Sequence, residues 1–369
     1  MTGWQSVRLG DICQIYDGPH ATPPKQDSGV VFIGISSLDY SGRLNPTYFE
    51  YVSEEYYTKW TKRVVPTPND VVFSYETKLG VAGIIPPWLK CCLGRRMGLL
   101  RANEKVIPRF LLYAYLSPDF QNLIKEKTNY GSTVDRIALK ELPDFYIKIP
   151  DLKIQHEILS LLAPIDDKID LLHRQNITLE AMAEALFRQW FVVEAKEEWH
   201  DGTIDDLFTL QRGFDLPATN REDGRFPVIS ASGYHGRHSE AKVKAPGVVT
   251  GRSGVVGSVF YIQDDFWPLN TTLWIKEFKK ATPLFSFELL KMLNLSVMNA
   301  GSAVPTLNRN HVHSLPQLIP QSDIIDAYEN IASRLYAKVY SNNSQIKTLE
   351  KIRNILLPKL MSGEVRMEH

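Results

Sequence analysis

Arg252 stands in the run TGRSGVVG, with Gly251 before it and Gly254 and Gly257 after it. Glycines on both sides let a backbone come close to a ligand, so this arginine could reach a phosphate or a base edge. No Lys-Ser/Thr pair follows, so the run is not a nucleotide P-loop. Lys90, Arg95, Arg96 and Arg101 cluster in KCCLGRRMGLLR, and Arg237, Lys242 and Lys244 lie near His235 and His238. Arg, Lys, His, Asn, Ser and Tyr mixed on turns suit phosphate contacts and base-edge reading. On composition alone the same residues would pass for solvated surface charge.

Catalytic signatures are scarce. NPTY (45–48) lacks the second proline of the NPPY of adenine methyltransferases, and no glycine-rich cofactor loop accompanies it, so it reads as a turn. Pro143-Asp144 with Asp151-Leu152-Lys153 fits a loose nuclease pattern, but that pattern is too permissive to decide anything. His311 and His313 are two apart without a neighbouring Cys or carboxylate cluster, a poor metal spacing. The cysteines are three, with Cys91 and Cys92 adjacent, which argues against a disulfide framework or a four-ligand zinc site. No enzyme is visible.

The elements that must position these residues come from a chain of 369 residues, enough for two or three domains. A hydrophobic fraction of 44% supports real cores and excludes disorder as the main state. No apolar run reaches the ~18–20 residues of a membrane span, and the start lacks a signal-peptide pattern, so the expected location is cytoplasmic. The 42 basic and 42 acidic residues cancel, but unevenly. Residues 1–150 carry 18 basic and 15 acidic residues, whereas 151–194 carry 4 and 8.

The chain repeats itself. Trp4, Asp11 and Gly18 recur as Trp199, Asp206 and Gly213. DVVFSYETKLGVAGII (70–85) answers GVVTGRSGVVGSVF (247–260), and GSTVDRIALKELPDFYIKIP (131–150) answers GSAVPTLNRNHVHSLPQLIP (301–320). Each copy opens with a part rich in strand and turn signals, such as VVFIGI, DVVFSY, VVPTPND, GVVTG, SVFYI and TTLWI. Single helices are expected near 108–127 and 284–298.

Each copy closes with a long helix. Ile158, Leu162, Ile165, Ile169, Leu172, Asn176, Leu179, Ala183, Leu186 and Trp190 step by four and three, a coiled-coil seam of period 3.5. Adding 170 gives Tyr328, Ala332, Leu335, Val339, Asn342, Ile346, Leu349, Arg353, Leu356 and Leu360. Paired antiparallel, with 158 facing 360, the two seams put Asn176 opposite Asn342, a polar pair that would fix register. Pro358 is expected to kink or fray the second helix. The flanking Leu161, Leu171, Phe187 and Phe191 leave more apolar surface than one partner helix can cover, which predicts poor solubility alone.

The opening W…RLGDI, the GVVTGRSGVVGSVF segment, LPDFYIKIPDLKIQHEIL and the terminal LLPKLMSGEV together resemble the specificity subunit of type I restriction-modification systems. The resemblance covers essentially the whole chain. It implies an α+β fold with a pseudo-two-fold internal repeat: two mixed, sheet-containing target-recognition domains separated by two long antiparallel coiled-coil helices. The expected boundaries are 1–150 and 195–320 for the domains, 151–194 and 321–369 for the helices.

The resemblance further implies that each domain reads one half of an asymmetric bipartite double-stranded DNA target. The chain itself would be non-catalytic, holding no cofactor. S-adenosylmethionine and ATP with magnesium would belong to its partners, two methylation subunits docked on the helices and the restriction subunits. DNA contacts are expected at Lys78, Arg95, Arg96, Ser132, Thr133 and Arg136 in the first copy, and at His235, Arg237, Arg252, Ser253, Asn308 and Arg309 in the second. The first copy has SYETKLGVAG where the second has TGRSGVVG, so the family's usual arginine is missing there and Lys78 is its stand-in. The second helix start, SDIIDAYENI, lacks the glutamine of IQHEIL. Helix length would act as a ruler: four residues inserted near Asn176 add about 6 Å, or roughly two base pairs to the gap between half-sites. A fused methyltransferase or nuclease, and a tandem-domain scaffold that never touches DNA, are the competing readings.

Overall fold

A computed structural model describes residues 3–128, 134–196, 198–298 and 306–364. The chain divides into two compact units, one of residues 1–169 with 347–369 and one of residues 170–346.

The first unit contains β1 (Trp4–Arg8), β2 (Cys13–Asp17), β3 (Val30–Ile33), β4 (Glu50–Val52), β5 (Val71–Ser74), β6 (Ala82–Ile84), β7 (Cys91–Leu93), β8 (Met97–Ala102) and β9 (Tyr146–Pro150). They form an antiparallel sheet β2-β8-β5-β6, a mixed sheet β4-β3-β7 with β3 parallel to β7, and a β1-β9 pair. Val71, Val72, Phe73 and Ser74 are all buried, so β5 is a central strand covered on both faces. VVPTPND stays outside the sheets, because Pro66 and Pro68 offer no N–H to a ladder.

The helices of this unit are α1 (Glu54–Trp60), α2 (Pro108–Leu116), α3 (Pro118–Lys127) and the first half of α4 (Leu152–Arg188). The expected single helix over 108–127 is thus two. Pro118 holds Ser117 in an extended conformation, where its hydroxyl caps α3 by accepting from the Phe120 N–H.

The second unit repeats the strand order with β10 (His200–Thr203), β11 (Phe208–Arg212), β12 (Phe226–Ser230), β13 (Gly233–His238), β14 (Gly247–Gly251), β15 (Val259–Ile262), β16 (Trp267–Pro268), β17 (Thr272–Phe278) and β18 (Pro316–Ile319). Its sheets run β11-β17-β14-β15 and β13-β12-β16, with a β10-β18 pair. Its helices are the second half of α4, α5 (Ile204–Leu207), α6 (Pro283–Met292), α7 (Arg309–His313) and the first part of α8 (Ser322–Met361), whose end belongs to the first unit. A short turn of 3-10 helix, Leu295–Val297, follows α6 instead of the single helix expected to 298.

The long helices complete both cores. In the first unit Ile158 and Leu162 of α4 join Leu360 and Met361 of α8 around Phe110 and Leu142. Asp166 and Arg353 pair there at 3.3 Å, both buried. In the second unit Ala183 and Phe187 pack with Tyr328 and Ala332. There the Asn342 amide donates to Asn176 Oδ1 at 2.9 Å, and Trp190 meets Tyr328 with ring centroids 6.5 Å apart. In each unit the two helices pair antiparallel, and none of the twenty seam residues is exposed.

Two expectations change. Phe187 and Phe191 are buried, their rings tilted or edge-on against Phe285 and Tyr328, and Phe191 lies in a π-helical turn over Gln189–Val193. Leu161 and Leu171 remain 40% exposed. Pro358 does not end α8, which runs on to Met361; the proline removes one bond, the one its N–H would have made to the Asn354 carbonyl.

Candidate nucleic-acid interface

In the second unit three segments converge at one end of the β14-containing sheet. The 252–258 loop leaves β14 at Gly251, where a Cβ would sit 1.9 Å from the Val255 carbonyl oxygen. Gly254 and Gly257 both have φ of +86°. Glycine adopts that backbone without the strain a side chain would meet there. The Arg252 N–H donates to the Thr271 carbonyl at 2.8 Å, and the Arg252 carbonyl accepts from the Leu307 N–H at 2.8 Å. Ser253 bridges to Thr306. Arg252 and Ser253 are thereby anchored between the 269–271 turn and the 306–309 segment.

These loops border an open depression of about 500 Å³, lined by Asp215, Ser230, Ser232, His235, Ser253 and Asn270 among others. Asn270 donates its amide to Asp215, and its carbonyl accepts from Arg252 Nη1 at 3.4 Å. His235 and Arg237 are both exposed on β13, where the pairing with β12 is bulged. Arg237 Nη1 donates to the Arg225 carbonyl at 2.7 Å. Asn308 caps α7 by accepting from the Asn310 N–H at 2.9 Å, and Arg309 is exposed in the first turn. Hydroxyl, amide and imidazole groups thus line this concave surface with the guanidinium of Arg221, and that of Arg252 reaches the Asn270 carbonyl beside it, a mixture suited to polyanion contact and base-edge hydrogen bonds.

Strand register gives the counterpart of each residue in the first unit. Ser74 pairs with Met97 as Gly251 pairs with Thr272, and the Glu76–Arg136 bridge matches Ser253–Thr306. The place of Arg252 therefore belongs to Tyr75, which is buried and donates its hydroxyl to Asp17 at 3.0 Å. Thr77, with φ of +67°, takes the place of Gly254, and Gly80, with φ of +79°, that of Gly257.

Lys78 lies within the loop, but its ammonium donates to the Leu38 carbonyl at 2.6 Å. Arg95 is exposed on the β7–β8 turn. Arg96 sits 2.7 Å from Glu76 Oε2, an ion pair off the line of a hydrogen bond, and donates from Nη1 to Thr77 Oγ1 at 3.3 Å. Arg136 is exposed beside Glu76. Ser132 and Thr133 lie outside the described residues. The structure therefore gathers Lys78, Arg95, Arg96 and Arg136 around one loop, and His235, Arg252, Ser253, Asn308 and Arg309 around its counterpart. Asp17, Glu76, Tyr75, Asp215 and Asn270 were not anticipated. The alignment of SYETKLG with GRSGVVG sets Tyr75 against Arg252, whereas the stand-in expected from the sequence, Lys78, is a nearby cation rather than the aligned residue.

The residues weighed for catalysis have other work. Asn45 of NPTY caps a 3-10 turn, accepting from the Thr47 N–H at 3.0 Å. Asp144 pairs with Arg8 at 3.5 Å, and Asp151 caps α4 through the Ile154 N–H at 3.0 Å. His313 accepts the Leu210 N–H at Nε2, 2.8 Å away, while burial lowers its pKa. Burial pushes the thiols of Cys13, Cys91 and Cys92 up to about 12, which leaves them un-ionised and poor nucleophiles at neutral pH. Among the described residues no group of His, Cys, Asp and Glu could hold a metal ion.

Comparison with known proteins adds lineage to this geometry. A family model described as "Type I restriction modification DNA specificity domain" matches twice, over residues 1–181 and 196–351. The chain is 22% identical over 310 residues to the type I restriction enzyme MjaIX specificity subunit of Methanocaldococcus jannaschii, covering 72% of this chain and 71% of that one. It is 32% identical over 127 residues to the HindI specificity subunit of Haemophilus influenzae, covering 33% of this chain and 27% of that one. Its fold is similar to that of a type I restriction-modification S subunit from M. genitalium, with a TM-score of 0.61, 17% identity, and coverage of 99% of this chain and 97% of that one.

Proposed function

The chain belongs to the type I restriction modification DNA specificity family, and from that premise we propose that it is the subunit that selects the DNA target of a restriction-modification complex. Each unit reads one half of an asymmetric, bipartite duplex sequence. The carrying observation is the repeated loop: one register places Arg252 and Ser253 at the loop of the second unit, and the buried Tyr75 with Glu76 at that of the first, so the two loops offer different chemistry. Two loops of one shape and different side chains favour two half-sites of different sequence.

The finer organisation is part of the same reading. Residues 1–150 and 195–320 act as target-recognition domains, and 151–194 and 321–369 as spacer helices forming an antiparallel coiled coil in a pseudo-two-fold repeat. The matched strand orders and the Asn176–Asn342 contact support it. The exposed Leu161, Leu171, Ile177, Met182, Ile352 and Ile355 along the helices suit the docking of two methylation subunits, with restriction subunits joining the complex. The chain is non-catalytic. Methyl transfer from S-adenosylmethionine and ATP-driven steps with magnesium belong to those partners in the cytoplasm.

Single-molecule sequencing of methylated adenines in a strain carrying the intact system tests this. Methylation should fall on one asymmetric bipartite motif and vanish when this gene is deleted. A motif that survives the deletion would refute the assignment. Methyl transfer by the purified chain alone would favour a fused enzyme instead.

A further inference from the structure

The shared loop poses a question about the first unit. At the place of Arg252 stands Tyr75, withdrawn into the core and tied to Asp17, so that position cannot offer a guanidinium to DNA. Lys78 is committed to the Leu38 carbonyl. A guanidinium does reach the same loop from the neighbouring turn. Arg96 occupies the position of Thr271, next to the place Arg252 would fill, since the Tyr75 N–H donates to the Arg96 carbonyl as the Arg252 N–H donates to that of Thr271.

Two features set Arg96 apart from Arg95 and Arg136. Its backbone has φ of +69°, a left-handed conformation that a side chain with a Cβ adopts at a cost and that glycine would adopt freely. Its head group is also held: Nε faces Glu76 Oε2 at 2.7 Å and Nη1 donates to Thr77 Oγ1 at 3.3 Å. Neither contact uses Nη2. Arginine recognises guanine through a planar pair of N–H donors, and a fork fixed before binding loses less freedom when it engages.

We propose that Arg96 is the base-reading arginine of the first unit, directed at a guanine edge, with Glu76 as its positioning residue. This rests on the DNA-reading function proposed above. Glu76 stands where the second unit has Ser253, beside an arginine that arises from a different strand connection. The two units therefore deliver a guanidinium to equivalent loops from different positions in the chain. Glu76 also offsets part of the positive charge of Arg95, Arg96 and Arg136, which limits binding to arbitrary duplex by phosphate attraction alone.

The test is selection of a randomised duplex library by the full-length chain and by its Arg96→Lys, Arg96→Gly and Glu76→Gln variants. Arg96→Gly relieves the left-handed backbone, so its thermal unfolding should remain cooperative. Both Arg96 variants should lose about 5- to 150-fold of the preference for one guanine in one half-site, with every other position unchanged. Glu76→Gln should weaken that same preference by a smaller factor, which a role in folding alone would not do. An unchanged profile, or a loss spread evenly over all sequences, overturns the proposal. A wild-type chain that enriches no sequence brings down the DNA-reading function, and the proposal with it.

Discussion

The Tyr113 hydroxyl on α2 donates to the Asp166 carboxylate on α4 at 2.5 Å, and the second unit keeps this clasp with its halves exchanged. There Tyr336 on the long helix α8 donates to Glu288 on α6 at 2.8 Å. Both pairs are buried and tie a long helix to the globular part of their own unit. Burial and the nearby carboxylates hold both phenols well above their ordinary pKa, so they are protonated donors at neutral pH.

Removing the donor should expose the cost of the buried carboxylate. Tyr113→Phe is expected to destabilise the chain by about 1–3 kcal/mol, read as a lower urea midpoint. Arg353→Met strips Asp166 of its 3.3 Å ion partner and leaves Arg43 Nη1 at 4.0 Å, so it should cost more than Tyr113→Phe but no more than the about 3–5 kcal/mol of a fully unpaired buried charge. Equal losses for the two variants would mean that the ion pair adds nothing beyond the hydrogen bond.

The asparagine pair should behave as a register device. Asn176→Leu leaves the buried Asn342 amide only a long contact to Gln175 Oε1 at 3.5 Å and should cost about 1–3 kcal/mol, whereas Asn342→Leu leaves Asn176 still donating to Asn343 Oδ1 at 2.8 Å and should cost less. The double leucine variant should recover most of that loss, since neither polar group remains to be satisfied. Denaturant titration of the three variants decides it.

Arg252→Ala should weaken binding by about 1–3 kcal/mol, with the loss confined to one base position in one half-site. Tyr75→Phe removes a bond to Asp17 and should lower stability by about 1 kcal/mol while leaving base preference intact. Titrations against duplexes altered in each half-site separate the two outcomes.

His313 should make the second unit sensitive to acid. Burial lowers its folded pKa below 6.5, helped by Arg309 and Lys279 and opposed by Asp205 at 3.6 Å. The unfolded chain then binds the extra proton more readily, so this contribution is present above about pH 6.5 and is lost as pH falls through the folded value. The stability difference between wild type and His313→Gln should shrink from about pH 7.5 to 5.5. Glu180 and Glu329, whose pKa values burial raises, act in the opposite sense and are common to both proteins.

Cys13, Cys91 and Cys92 should resist thiol reagents in the native chain. Burial holds all three near 12, leaving almost no thiolate at pH 8. All three should react in denaturant. Rapid labelling of the native protein would contradict that burial.

Pattern carried the architecture a long way. The four-three step from Ile158 to Trp190 and its copy 170 residues on mark residues that are all withdrawn from solvent. Helical period is local arithmetic, and a stripe of that length has one economical use. The glutamine of IQHEIL, singled out as missing from the second copy, is Gln155, fully buried and accepting the Ile107 N–H at the start of α2. In the second unit Glu329 accepts the Leu284 N–H at the start of α6, a substitution from one turn further along α8 that no alignment column contains.

Within the candidate site the sequence by itself determined the shape of the loop and the residues near it. Gly254 and Gly257 signal positive φ in the second copy, and Gly80 keeps one such signal in the first, where Thr77 adopts the other positive φ with a side chain. Which side chain each copy offers at that loop was decided only by the tertiary structure. Lys78 looked available because charge along a chain says nothing about the carbonyl waiting across space at Leu38. Arg96 looked like one of a cationic pair until β8 brought it beside Glu76, twenty residues earlier in the chain. Hydrogen-bond partners are set by distance in three dimensions, and a side chain's chemistry is whatever those partners leave unspent.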